Sequence, residues 1–507
     1  MSAPHFWPAW LLAGTLALGF CAAPAQEAEP PHEIDWSAAE KLIASERERW
    51  DVPGIAVSVV DGSGRTWTTA SGVLGLDNQQ PVNPQTVFAI GSCTKAFTAA
   101  ALLMLADEGR LDLDKPVSSY FESLKFPTDE LTQQVTLRDL LSHRTGLPSN
   151  NLMFWNADVD REALIERIRF LPPRFPLGQR FQYQNVLYLA VGQTIPAVTG
   201  QNWDDFVTER LLESLEMKAS HASLSRFNKT ESRNIASAHI KIDGRLEAIP
   251  RYDGVNIGPA GAIHSNVVDM ARWVAMLLRG GVAGESRILN AKDVEAMYAP
   301  EIQVPKNDQA SMLFPFADSL SYGLGWFAHE YHGHQIVEHG GTSDGMSSWV
   351  LWMPEEDLGV VVLTNSLNVG VSNSIAYRIA DWLGRDPAPT ATAFEKITRT
   401  FNSMLKVARF RSSNSSWTAA ASPDRCAGRF ENALYGGAEI RAEGRKLSIS
   451  LLGRQGALHP AGGSSFQVDW GNDLFLMMAV PKLRFAAGKD PSLDSWVISG
   501  QAWPRKE

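Results

Sequence analysis

Phe88-Ala89-Ile90-Gly91-Ser92-Cys93-Thr94-Lys95 is the stretch from which the rest of the 507-residue chain is read. An apolar run ends at a glycine, a serine follows, and a lysine stands three residues on. Behind it, Ala96-Phe97-Thr98-Ala99-Ala100-Ala101-Leu102-Leu103-Met104-Leu105-Ala106 is apolar nearly all round. That is the pattern of a helix buried on every side, and Gly109 is its expected stop. Residues i and i+3 share a helix face, so Ser92 and Lys95 point at one spot at the helix start. A serine hydroxyl attacks only when a neighbouring base takes its proton. A lysine pressed into apolar surroundings loses solvation, which favours the neutral amine that such a base requires. Backbone N–H groups at the helix start favour developing negative charge. The bland alternative is a capping serine with a lysine nearby by chance.

Outward from this stretch the chain alternates helices and strands. Ile34 to Trp50 has helical spacing, Gly54–Val60 reads as a strand, and Thr66–Ala70 as its hairpin partner after the turn Asp61-Gly62-Ser63-Gly64. Thr136 is the expected N-cap of a short helix that ends near Gly146. The loop 172–178 leads to Phe181-Gln182-Tyr183-Gln184-Asn185, then a helix over 186–198. A turn at 258–266 precedes a helix over 267–278, and residues 300–320 read as an irregular insertion. Tyr322-Gly323-Leu324-Gly325-Trp326-Phe327 opens a second run of strands, with 335–339, 347–353 and 358–364 following. A helix over 372–383 closes the domain before Asp386-Pro387-Ala388-Pro389-Thr390. A further helical stretch spans 392–410. From Gly428 on, short segments alternate apolar and polar residues, as in Leu447, Ile449, Leu451 and Phe466, Val468, Trp470, the pattern of a small antiparallel sandwich or barrel.

Composition sets bounds. Hydrophobic residues make up 44% and charged residues 20%, as in an ordinary globular protein of two or three domains. A net charge of −10 argues against nucleic acid or an anionic membrane surface as partner. Residues 1–25 carry no charged side chain, are mostly apolar over 11–23, and end in Ala23-Pro24-Ala25. They read as a secretory signal cut after Ala25, which implies a periplasmic or secreted protein. Cys21 follows the bulky Phe20, which speaks against lipid attachment. No other stretch is long and apolar enough to span a bilayer. Cys93 and Cys426 lie far apart, so no disulfide is expected, and Cys93 reads as a small core residue. His329, His332, His334 and His339 cluster, but His329-Glu330-Tyr331-His332 lacks the helical zinc-protease spacing. No metal and no cofactor are expected, and His332-Gly333-His334 reads as a hairpin turn.

Three short motifs stand in order: Ser92-Cys93-Thr94-Lys95, Tyr183-Gln184-Asn185 and His339-Gly340-Gly341. Together they resemble the serine β-lactamase and penicillin-binding protein superfamily. The resemblance is closest to the branch of class C β-lactamases, D-Ala-D-Ala carboxypeptidases, D-aminopeptidases and esterases. Leu140-Leu141-Ser142-His143-Arg144-Thr145-Gly146-Leu147 and Pro259-Ala260-Gly261-Ala262-Ile263-His264-Ser265 look like this branch too. The resemblance implies an α/β (α+β) fold of the β-lactamase/transpeptidase type, an antiparallel sheet flanked by helices with a helical subdomain, over residues 26–385. A linker with a helix (386–427) and a lipocalin-like all-β barrel (428–507) are expected after it.

The resemblance further implies that Ser92 is acylated, with Lys95 as its base and Tyr183 exchanging a proton with the leaving group. The pKa of Tyr183 is expected to be lowered by two ammonium neighbours. Asn185 is implied to hold Lys95 and a substrate amide. Gly340 and Gly341 are implied to let substrate backbone approach, and the N–H groups of Ser92 and Thr342 to bind an oxyanion. Many members carry a lysine followed by a hydroxyl residue where this chain has His339 and Gly340, and that pair binds a substrate carboxylate. Its replacement favours a hydrolase of small esters, or of amides and peptides with D-residues. The alternatives are a D-Ala-D-Ala carboxypeptidase, a class C-like β-lactamase, or, in another class, a penicillin sensor that is acylated without turnover. The expected partner is a small-molecule or peptide substrate; the oligomeric state is open.

Overall fold

The computed structural model describes residues 35–381 apart from 151–152, 154–158, 228–230 and 252, then 393–396, 399, 422–471, 482–487, 495–498 and 501–506. Residues 1–25, read as an export signal, and most of the segment 386–427, read as a linker, lie outside the described residues.

An eight-stranded antiparallel sheet forms the centre. Its order is Thr66–Gly72, Gly54–Val60, Leu358–Thr364, Met346–Met353, His334–Ser343, Phe327–Tyr331, Leu320–Tyr322 and Ile302–Val304. Both faces of the middle strands are covered, which is why Gly54–Val60, Met346–Met353 and Leu358–Thr364 are buried along their whole length. On the front face Ala56, Val350, Trp352, Val361 and Leu363 pack with the helix Val267–Leu278. On the back face Ile55, Val57, Trp349, Leu351 and Val360 pack with the helix Val369–Asp381. The helix Trp36–Arg49 packs beside Val369–Asp381. The hairpin expected at His332-Gly333 is present, with both residues at positive φ (51° and 83°), the geometry that matches strand twist. The segment read as irregular contains the edge strand Ile302–Val304.

In front of the sheet lies the helical layer, organised on Thr94–Asp107. Every residue from Thr94 to Leu105 is buried. Phe97, Leu102 and Leu105 show no exposed surface, and each such side chain contributes about 1.5–3 kcal/mol by leaving water. Tertiary burial therefore holds this helix, and its first turn is fixed in place. The helices Asn185–Thr199 and Trp203–Val207 pack against it. Thr136 caps the next short helix through a capping box with Asp139, but that helix spans only Leu137–Leu141. It stops before Gly146 because His143 takes a left-handed backbone, φ 59°.

A polar cluster lies inside the back layer. Glu338, fully buried, accepts from Tyr377 Oη (2.5 Å) and His329 Nε2 (2.8 Å) on one oxygen and from Trp349 Nε1 (2.8 Å) on the other. Its three donors satisfy the carboxylate as burial demands.

The C-terminal strands, Gly428–Asn432 to Gln501–Pro504, form a second eight-stranded antiparallel sheet. The last edge returns to the first, with Lys506 N–H donating to Arg429 O at 2.8 Å and Phe430 opposite Arg505, so the sheet closes into a barrel. Leu447, Ile449, Phe466, Val468, Phe485, Trp496 and Trp503 fill its inside. Tyr435 Oη donates to Asn150 Oδ1 (2.8 Å), and Arg167 donates to the Tyr435 carbonyl (3.2 Å), docking the barrel on the helical layer.

Candidate active site

Ser92 sits in a single 3₁₀ turn, Gly91–Cys93, that runs into the Thr94–Asp107 helix. The turn is wedged against the front of strand His334–Ser343. Gly91 has φ 49°, and a Cβ there would lie 2.6 Å from Thr342 N, so only glycine allows this approach. Ser348 Oγ donates to Ile90 O (2.7 Å), and Cys93 Sγ donates to His339 O (3.2 Å), tying both sides of the turn to the sheet. Burial pushes the Cys93 thiol up to about 12, so it stays protonated and serves as this tie. Gly91 and Cys93 are buried, whereas Ser92 between them is partly exposed. The backbone N–H of Ser92 and that of Thr342 lie on neighbouring segments, as an oxyanion pair requires.

Lys95 has no exposed surface. Its Nζ lies 2.7 Å from Asn185 Oδ1, 2.9 Å from Ala260 O and 3.0 Å from Ser92 Oγ. No carboxylate is among these partners, and burial lowers its pKa well below the usual lysine range. A neutral amine has two N–H donors and one lone pair. Two of the three partners are carbonyl oxygens that only accept, and they use both N–H groups. The lone pair is then left for the one partner that carries a proton, the Ser92 hydroxyl.

Tyr183 reaches the site from an extended segment that leads into the helix starting at Asn185. Its ring lies 4.8 Å from Lys95 Nζ, and its hydroxyl is near enough to Ser92 to interact with it. The expectation of a lowered tyrosine pKa is corrected here. Burial raises it above the ordinary value of 10, with only the Ser92 contact opposing. The two expected ammonium ions are absent as charges: Lys95 is driven neutral, and His339 is not a lysine.

His339 lies on the front of its strand, its ring 6.2 Å from that of Tyr183. Burial lowers its pKa to about 3, so it is neutral throughout the physiological range. Its Nδ1–H donates to Gly340 O (2.6 Å), which leaves Nε2 to accept from Tyr322 Oη (3.2 Å). Both ring nitrogens are thus occupied within the protein. The two following glycines admit the protein's own groups. A Cβ on Gly340 would lie 2.4 Å from the Trp349 ring on the back face, and one on Gly341 would lie 2.0 Å from Ile90 O. The remaining histidines of the sequence cluster are dispersed: His329 joins Glu338 at the back, and His334 pairs with Glu356. Among the described residues no group of three or more metal-ligating side chains forms a site.

Ser92, Lys95, Tyr183 and Asn185 thus meet at one point, with His339 and Thr342 beside them. Sequence reading did not identify the Ala260 carbonyl, Tyr188, Tyr322 or His143 as part of this cluster. Tyr188 stands one helical turn after Asn185, a spacing that could have found it. The position of His143 depends on its backbone turn, which no periodicity reports. Among the described residues no helix is long and apolar enough to cross a membrane.

Known proteins show the same outline. The "Unguisins hydrolase ungD'" of Aspergillus campestris is 28% identical over 365 residues, 69% of this chain and 65% of that protein. "Protein flp" of Staphylococcus aureus strain N315 is 26% identical over 337 residues, 64% of this chain and 62% of that protein. The chain thus spans somewhat under two thirds of the length of these relatives. The solved octameric penicillin-binding protein homologue from Pyrococcus abyssi superposes with a TM-score of 0.60 at 24% identity, covering 93% of this chain and 100% of that one, which shows a shared fold. The sequence profile described as Beta-lactamase matches residues 40–381, more than half of the chain, and the protein therefore belongs to the beta-lactamase family.

Proposed function

We propose that the protein is a serine hydrolase that forms an acyl-enzyme at Ser92 and cleaves small esters, or amides and peptides with D-residues. One observation carries this reading: the buried Lys95 Nζ, placed 3.0 Å from Ser92 Oγ with both N–H groups committed elsewhere. Lys95 takes the Ser92 proton as Oγ attacks the substrate carbonyl. The N–H groups of Ser92 and Thr342 hold the oxyanion. Tyr183, a phenol at neutral pH, gives its proton to the leaving group as the bond to it breaks. The proton on Lys95 then returns to Tyr183, which restores both groups. Water repeats the sequence in reverse roles to release the acid.

The substrate class rests on His339. A neutral, internally bonded imidazole offers nothing to a substrate carboxylate. The charge-assisted bond that a cation would supply is worth about 1.5–3 kcal/mol, so its absence disfavours carboxylate-bearing substrates by roughly ten- to a hundredfold. The D-residue option rests on the likeness of His339-Gly340-Gly341 to D-aminopeptidase members. A relative named as a hydrolase supports turnover over a silent sensor role. The reading of residues 1–25 as an export signal favours a reaction in the periplasm or outside the cell.

The test is labelling by a fluorophosphonate together with steady-state hydrolysis of p-nitrophenyl acetate and nitrocefin. Ser92→Ala is expected to abolish labelling and turnover while the circular dichroism spectrum is unchanged. Full labelling of that variant would remove Ser92 from the mechanism. Stoichiometric labelling without turnover by the natural protein would favour the sensor. Efficient nitrocefin hydrolysis would put the β-lactamase reading ahead.

A further inference from the structure

His143 takes no part in the reaction just described, yet it touches its machinery from three sides. Six of the described non-glycine residues within 35–381 have positive φ; Asp51, Glu216, Asp243, His332 and Asp357 are exposed, whereas His143 is fully buried. A left-handed backbone is unfavourable for a side-chain-bearing residue, and a buried one persists only where its surroundings dictate it. Here the turn aims two acceptors of one residue at one short segment. The His143 carbonyl accepts from Gln182 N–H at 2.9 Å, and His143 Nδ1 accepts from Gln184 N–H at 3.3 Å. Between those two donors stands Tyr183. The imidazole also packs on the Tyr183 ring, centroids 4.4 Å apart, and is backed by Tyr188 at 5.2 Å and Tyr322 at 5.0 Å.

Acceptance at Nδ1 places the ring proton on Nε2. Burial lowers the His143 pKa well below the usual range, so the ring stays in this neutral form. Nε2 is buried with no hydrogen-bond partner in the structure. A stranded buried donor is unfavourable, so leucine of similar size would fit the packing better than histidine if packing were all that mattered. What leucine lacks is the acceptor for Gln184.

We propose that His143 is a positioning residue for Tyr183, clamping the peptide groups on both sides of it so that the phenol stays aimed at the leaving group. The inference rests on the reading of Tyr183 as the proton donor to that group. It makes a distinction that a purely structural role does not. A p-nitrophenolate departs without help, whereas an alkoxide or an amine departs only with a proton. Losing the clamp therefore slows substrates with poor leaving groups and largely spares nitrophenyl esters.

The experiment compares kcat/KM for p-nitrophenyl acetate with that for an unactivated alkyl acetate in two variants that tolerate positive φ. His143→Gly removes the ring acceptor; His143→Asn keeps an acceptor for Gln184. His143→Gly is expected to depress the alkyl ester about a hundredfold, the scale of a general acid, and the nitrophenyl ester less than about fivefold. His143→Asn is expected to restore the natural ratio to within about threefold. Equal losses on both substrates, or a His143→Asn ratio as low as that of His143→Gly, overturns the clamp. If His143→Gly does not fold, the ratio in His143→Asn alone decides: collapse refutes the clamp and retention supports it. Tyr183→Phe on the same pair separates the two readings, because an unchanged ratio there removes Tyr183 as donor, whatever His143 does.

Discussion

Gly340→Ala and Gly341→Ala add the same methyl group to adjacent residues, and the structure assigns them different consequences. At Gly341 the new Cβ would lie 2.0 Å from Ile90 O and 2.3 Å from Ser348 Oγ. Ordinary contact begins at 3.4 Å, so strand and backbone must part by about 1.4 Å. Ile90 stands two residues before Ser92, and its carbonyl is backbone, so the nucleophile's turn moves with it. A displacement of about 1 Å in a catalytic arrangement costs on the order of a hundredfold in rate. At Gly340 the methyl would meet the Trp349 ring at 2.4 Å, on the face turned away from Ser92. Overpacking there costs about 1–3 kcal/mol of stability. The expected outcome is a crossed pattern: Gly341→Ala loses on the order of a hundredfold in kcat for p-nitrophenyl acetate, while Gly340→Ala loses chiefly in urea midpoint. The assays are steady-state ester hydrolysis and urea denaturation followed by tryptophan fluorescence. Natural activity in a folded Gly341→Ala would refute the contact between strand and turn on which the geometry of Ser92 depends.

The remaining expectations are briefer. With Lys95 as the proposed neutral base, acylation is expected to rise with pH through its lowered pKa and to hold until Tyr183 ionises above its ordinary value of 10; a stopped-flow profile still climbing toward 10.5 would contradict this. Lys95→Ala is expected to slow acylation a hundredfold or more, measured by fluorophosphonate labelling, and near-normal labelling would count against its role as base. Glu338→Leu strands the donors of His329, Tyr377 and Trp349 and is expected to cost about 3–5 kcal/mol in urea denaturation, against none if the network is incidental. His339→Lys is expected to raise kcat/KM for nitrocefin relative to p-nitrophenyl acetate by about tenfold or more; a fixed ratio would mean that another group decides carboxylate recognition. Gly340→Thr is not combined with it, because its side chain would enter the Trp349 ring.

Much of this was legible in the chain. The apolar run after Lys95 announced a helix buried all round, and the structure buries every residue from Thr94 to Leu105. The three motifs converge from the start of one helix, the approach to another, and the middle of a central strand. Ionisation was less legible. The resemblance implied ammonium neighbours for Tyr183, whereas burial, a property of the assembled layers, neutralises Lys95 and raises the phenol. The glycines of the third motif were expected to face substrate. Which face each one presents follows from the pairing of Gly340 with Trp349 and of Gly341 with Ser348, and a single sequence does not carry it. His143 was visible as part of a family-like stretch, but its left-handed turn cut the expected helix short and gave the residue its contacts.

The acid behind the strand has a bearing on how the sheet finds its alignment. Glu338 and His339 are consecutive, one turned to the helices at the back and the other to the nucleophile at the front. A register slip of one residue against Met346–Met353 would exchange them. It would set a carboxylate beside Lys95 and Ser92, and it would strand the donors of His329, Tyr377 and Trp349 in an apolar layer. A hydrophobic strand such as Leu358–Thr364, buried on both faces, carries little information against such a slip, since its residues suit either side. The Glu338 network supplies that information, and it does so one residue away from His339. Polar groups at the back of the sheet thus specify which residues face Ser92.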